Sequence, residues 1–328
     1  MPITHPQPRP STRRRRRWPA AVAALAAAAL TAIGLAACGG GTSQVEDFIA
    51  ERIFAIGDET STLTPEGRKY AVNVLDANKA VSCATEPIWV QAVARLYGHV
   101  FAECNPDAVA DPRAIMLAGP QQTVAEHLAA QVDAALARRV PGEPTLATVM
   151  MGANDVWALY DEFVAGRSED DVLAEARRRG ELLGTQINRL VERDIRVVVS
   201  TVPDLGRTPF ALAEKEAHDD IDRAALISRL ARELNARMRL EIVNDGRLIG
   251  LVLADEMVQA MTRQPAAFGL ANVEDAACAT ALPACDTDTL VSGARSNTWL
   301  WADGRHLAYG GQVRLGLLAQ SRASNNPF

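Results

Sequence analysis

Asp303 and His306 stand three residues apart in the stretch "WADGRHLAYGG", residues 301–311. A carboxylate at that spacing can hold the imidazole Nδ1–H, fix its tautomer and stabilise the imidazolium, as the general base of an acyl transfer requires. Acyl transfer also needs a nucleophile and donors for the oxyanion that develops on the carbonyl. Asn154, in "GAND" (Gly152 to Asp155), can donate through its side-chain amide. Gly119 can donate through a backbone N–H that no side chain shields. The other histidines lack such company: His5 lies near the N-terminus, His127 in a helical pattern, His218 in an acidic stretch and His99 beside an aromatic run. No CxxC or paired His/Cys spacing points to zinc, so neither a metal nor a cofactor is expected.

Elements able to position these residues can be read from hydropathy. Short apolar runs at 52–56, 114–119, 145–152, 195–202 and 248–254 read as buried strands. Between them, helical spacing marks 87–98, 123–139, 155–165, 170–193 and 219–244, the last capped by Asp219 or Asp220, and a closing helix covers about 308–322. Continuous apolar strands alternating with amphipathic helices signal a parallel sheet buried on both faces. The candidate residues then fall at the carboxyl ends of strands, where open parallel sheets bind ligands. Gly57-Asp58-Glu59 follows the first strand, Gly119 the second and Gly152-Asn154 the third. Residues 264–297 read as a loop insertion.

These blocks, in this order, resemble the four blocks of the SGNH, or GDSL, hydrolases over roughly residues 50–322. G-x-N-D is matched by Gly152, Asn154 and Asp155, and D-x-x-H by Asp303 and His306. The resemblance implies a flavodoxin-like three-layer α/β/α sandwich with a mostly parallel five-stranded sheet. It implies metal-free hydrolysis of carboxylic, lipid or glycan esters or thioesters, and oxyanion roles for Gly119 and Asn154. Asn154-Asp155 also suits a helix N-cap, and the oxyanion role leads for Asn154 because the other blocks are present.

The chain departs from the family in "FAIGDETSTL", residues 54–63, where Glu59 stands in the place of the nucleophilic serine. Three outcomes follow. Glu59 can form an ion pair with His306 and silence the site, it can serve as a carboxylate nucleophile, or Thr60 or Ser61 can take over after a shift of the turn. The expected function is ester hydrolysis, esterase or lipase-like. The alternative is an impaired relative that binds a lipid or glycan ester in the same cleft.

The basic run "RRRRR" and the apolar stretch ending in "LAAC" resemble a bacterial lipoprotein signal, residues 1–37, with Cys38 as the lipidated residue. An uncleaved membrane anchor is the competing reading. Gly39 rather than Asp after the cysteine resembles an outer-membrane address, which gives an envelope location and a membrane partner through the lipid. Residues 38–50 read as a tether and 51–328 as the hydrolase-like domain. Losing the leader's six arginines takes the formal net charge from −6 to −12, which argues against nucleic-acid binding. Four further cysteines in an exported chain read as disulfides, and sequence proximity favours Cys83–Cys104 and Cys278–Cys285. Trp89 reads as core, while Trp157 and Trp301 suit core and pocket equally.

Overall fold

The computed structural model describes residues 48–325. The leader and Cys38 lie outside the described residues, as does all of the 38–50 tether except its last three positions.

In chain order the elements are β1 (Arg52–Gly57), α1 (Trp89–Leu96), β2 (Ala114–Met116), α2 (Leu128–Arg138), β3 (Thr145–Met150), α3 (Ala153–Val164), α4 (Glu169–Val191) and β4 (Ile195–Ser200). They continue with α5 (Pro209–Ala217), α6 (Arg223–Glu241), β5 (Ile249–Val252), α7 (Ala254–Arg263), β6 (Asn272–Ala276), β7 (Trp299–Trp301) and α8 (Tyr309–Asn325). Five parallel strands pair in the order β2-β1-β3-β4-β5. This is the flavodoxin-like order, whose switch point falls where β1 lies between β2 and β3. The expected α/β/α sandwich with a five-stranded parallel sheet is therefore the observed fold.

Side chains alternate across each strand, so one strand feeds two cores. From β1, Phe54 and Ile56 join Leu128, Leu159 and Leu230 on one face, while Ile53 and Ala55 join Trp89, Val258 and Leu315 on the other. Burial on both faces is why the strands read as unbroken apolar runs.

Several boundaries differ from the sequence reading. The second helix begins at Leu128, not near 123, and in the turn before it Thr123 and Val124 give their N–H groups to His127 Nδ1 and Asp155 Oδ2. The long helix is capped by Asp222, which accepts from the Ala225 N–H at 2.9 Å, rather than by Asp219 or Asp220. Asp220 instead pairs with Arg223. Helices α5 and α7 went unread, although Thr208-Pro209 is a helix-start signal and Thr208 caps α5. The 264–297 insertion is not all loop: β6 within it pairs in parallel with β7. Both expected disulfides, Cys83–Cys104 and Cys278–Cys285, are formed. Among the described residues no helix is long and apolar enough to cross a membrane.

Candidate active site

The site grows from the end of β1. Gly57 has φ +155°, and a Cβ there would lie 2.2 Å from the Met150 carbonyl oxygen and 2.8 Å from Ser61 Oγ, so only glycine fits. Gln131, on α2, grips this residue from the side: the Gly57 N–H donates to Gln131 Oε1 at 2.8 Å and Gln131 Nε2 donates to the Gly57 carbonyl at 3.0 Å. The chain then turns through a short 3-10 helix, Glu59–Ser61, capped by Asp58.

Glu59 is 8% exposed. Its Oε1 accepts the Gln121 N–H at 2.7 Å, and its Oε2 accepts Asn154 Nδ2 at 2.7 Å. Asn154, in the first turn of α3, gives its other amide hydrogen to the Gln122 carbonyl at 3.0 Å. Gln121 sits at φ +59°, uncommon for a residue with a side chain. That backbone conformation accompanies the aim of its N–H at Glu59. The Gly119 N–H, expected as an oxyanion donor, is instead committed to the Gly57 carbonyl at 3.2 Å. The backbone donor in this place is Gln121, two residues on, which the sequence reading missed. Its only trace in the sequence is the "GPQQ" turn after β2.

His306 and Asp303 are brought together as expected. His306 Nδ1 lies 3.0 Å from both carboxylate oxygens of Asp303. The N–H groups of Arg305 and His306 donate to Asp303 Oδ1 at 2.8 and 2.7 Å. Burial pushes the Asp303 carboxyl up, but the hydrogen bond and charge of His306 and these amides hold it below its ordinary value. Burial would lower the His306 pKa, yet Asp303, with the charges of Glu59 and Asp58, raises it. Of the three outcomes, the ion pair between Glu59 and His306 is not formed; the Glu59 carboxylate instead accepts from Gln121 and Asn154.

Ser61 is brought elsewhere. It is fully buried, and its Oγ accepts the Trp89 indole N–H at 3.2 Å. Trp89 is core, as read. Thr60 lines the cleft, but its N–H donates to Asp58 Oδ1 at 3.1 Å. Asp58 Oδ2 is buried without a partner. Burial first, then the charge of Glu59, pushes the Asp58 carboxyl up to about 7. Asp155 does not cap α3, whose N-cap is Gly152. It holds the second block by accepting the Val124 N–H at 2.8 Å and pairs with Arg179 at 3.3 Å.

Two spaces meet at Glu59 and His306. One is enclosed, about 10 Å³, with Asn154, Trp157, Trp301 and Arg305 in its wall, so both tryptophans reach the cleft. The other is an open groove of about 460 Å³ beside Tyr70, Pro120, Gln121 and Leu282. Among the described residues no group of three or more His, Cys, Asp or Glu side chains is placed to hold a metal ion.

The chemical reading turns on Glu59. Serine acylation would place a carbonyl carbon two bonds beyond Cβ, on Oγ. The Glu59 side chain places its carboxyl carbon two bonds beyond Cβ, on Cγ. Its carboxylate thus occupies the place that the carbonyl of an acylated serine at 59 would take, with the Gln121 N–H and Asn154 Nδ2 as its donors.

No family model matches the chain, and no curated protein matches it in sequence. Among solved structures it is similar to a member of the lipolytic protein G-D-S-L family from Veillonella parvula, with 10% identity, 82% of this chain and 95% of that chain covered, and a TM-score of 0.36. It is also similar to protein YxiM from Bacillus subtilis, with 15% identity, 83% of this chain covered and a TM-score of 0.32. The match spans 56% of the latter's length.

Proposed function

We propose that the chain is an envelope-anchored protein of the SGNH/GDSL hydrolase family that binds an ester-bearing lipid or glycan in its cleft and forms no acyl-enzyme. The observation that carries this reading is the Glu59 carboxylate seated on Gln121 N–H and Asn154 Nδ2, both at 2.7 Å. A ligand carbonyl cannot use those donors while the carboxylate holds them. Carboxylate attack is disfavoured for the same reason: oxygens that accept strong, charge-assisted hydrogen bonds are poor nucleophiles. Slow ester hydrolysis is the second reading, favoured by the intact Asp303–His306 pair at 3.0 Å, which can still draw a proton from water. The membrane anchor at Cys38 belongs to the same proposal and rests on "LAAC" alone.

The test is hydrolysis of short-chain nitrophenyl esters by a soluble form starting near residue 42, beside Glu59→Ser and His306→Ala. A near-inactive wild type and an active, His306-dependent Glu59→Ser support the proposal. Robust wild-type turnover rules it out, and its survival in His306→Ala rules out the second reading as well.

A further inference from the structure

A second cavity, of about 520 Å³, opens between the turn after β4, α5 and α6. Four cations line it: Arg207 from the turn, Lys215 from α5, and Arg229 and Arg232 from α6. Two carboxylates, Asp204 and Asp222, share the lining. A net excess of positive charge in one cavity is out of character for a chain of formal net charge −6.

The sequence builds this space along one stripe of α6. Ala225, Ser228, Arg229 and Arg232 fall at i, i+3, i+4 and i+7, so they share a helix face. The small side chains at 225 and 228 leave room between the long cationic ones. Gln259 of α7 closes the far side.

Part of the charge is already matched. Lys215 Nζ lies 2.9 Å from Asp222, Arg207 Nε 3.6 Å from Asp204, and Arg229 Nη2 2.6 Å from Glu169. Asp204 also accepts the Ser228 hydroxyl at 2.5 Å. What remains is specific. The Arg229 side chain is 32% exposed, and only its Nη2 is engaged, by Glu169, which leaves Nη1 without a hydrogen-bond partner among the described residues. Arg232 makes no hydrogen bond or ion pair among the described residues. Two guanidiniums three residues apart, with donors unspent, match the fork geometry that arginine offers to phosphate oxygens. The volume exceeds what a bare ion fills, so it accommodates an organic group bearing the anion.

We propose that this cavity binds a phosphate-bearing ligand through Arg229 and Arg232, with Lys215 and Arg207 at its rim. The cavity shares no lining residue with the Glu59–His306 cleft, although alternate residues of the turn after β4 line the two.

The experiment is calorimetric titration of the full-length chain at low salt with pyrophosphate and glycerol phosphate, and co-sedimentation with phosphatidylglycerol vesicles against phosphatidylcholine vesicles. Saturable binding is expected, weakened about ten-fold in Arg232→Ala and in Arg229→Ala and unchanged in Arg247→Ala, an exposed arginine outside the lining. Arg232→Glu should abolish it, and circular dichroism checks that each variant is folded. Because Arg229 also pairs with Glu169, the Arg232 variants decide if Arg229→Ala fails to fold. Binding of the soluble compounds identifies a free phosphorylated ligand; binding confined to phosphatidylglycerol vesicles identifies a lipid headgroup. Absence of binding in all arms, or binding that Arg232→Ala and Arg232→Glu leave unchanged, overturns the proposal.

Discussion

Glu59 Oε2 accepts a 2.7 Å hydrogen bond from Asn154 Nδ2, which ties the turn after β1 to the first turn of α3. Replacing Glu59 by serine should free Asn154 and the Gln121 N–H together and leave a hydroxyl near His306. Hydrolysis of a short nitrophenyl ester should rise at least ten-fold over wild type. Adding Asn154→Ala to Glu59→Ser should then remove about 10²–10³ of kcat, the usual effect of losing one oxyanion donor. An Asn154 substitution without effect on the Glu59→Ser enzyme would contradict this geometry.

Ser61→Ala separates a packing role from a catalytic one. Because Ser61 is buried and accepts the Trp89 indole N–H, the variant should leave any ester hydrolysis unchanged. It should destabilise the fold by about 1–3 kcal/mol, because a buried donor loses its acceptor. Urea unfolding and a fluorophosphonate labelling experiment measure the two effects. Labelling of Ser61 in the wild type would refute the structural assignment.

Asp58 and His306 make stability fall as pH rises. Asp58 has its folded pKa raised from 3.8 to about 7, so the native state holds a proton that the unfolded chain has released. Stability should therefore decline between about pH 4 and 7. The raised His306 pKa acts in the same sense, its contribution being full below the unfolded value of 6.5 and lost as pH climbs through the folded one. Asp303, held low, acts oppositely, and its contribution disappears in acid. Asp58→Asn keeps an acceptor for the Thr60 N–H and should flatten the decline between pH 4 and 7. Equal slopes in the two proteins would show that Asp58 is not the titrating group.

The two disulfides should differ in worth. Restricting the unfolded chain gives about 3 kcal/mol for Cys83–Cys104, across 21 residues, and about 2 kcal/mol for Cys278–Cys285, across 7. Paired serine substitutions followed by urea denaturation measure this. Non-reducing peptide maps with four free thiols or crossed pairs would contradict the connectivity.

Cys38→Ala should abolish lipidation and leave an unprocessed precursor. Mass spectrometry of the mature wild-type N-terminus is the check, and a chain cut elsewhere or lacking acyl groups would remove the membrane partner from the proposal.

The strands and the order of the site blocks were legible in the sequence because burial on both faces writes unbroken apolar runs, and because Asp303 and His306 are local in sequence. What escaped depends on tertiary geometry. Gln121 contributes a backbone N–H, which any non-proline residue carries, and only the positive φ of the turn directs it to Glu59. Ser61 sits two positions from Glu59, yet the 3-10 turn drives it inward to Trp89. The sequence presents Gly119 as a free donor, but the approach of β2 to the end of β1 hands its N–H to the Gly57 carbonyl. Helix α7 was missed because its N-cap residue, Leu253, gives no side-chain hydrogen bond.

Gln131 holds both polar backbone groups of Gly57, through bonds of 2.8 and 3.0 Å. That grip is made by neighbours of residue 59 and takes nothing from its side chain. Position 59 is thus a socket, framed before its occupant is chosen. Exchange of one plug changes the chemistry on offer while the frame stays put. Substitutions at 59 should therefore report on chemistry and not on folding, because the Gln131–Gly57 frame does not depend on them.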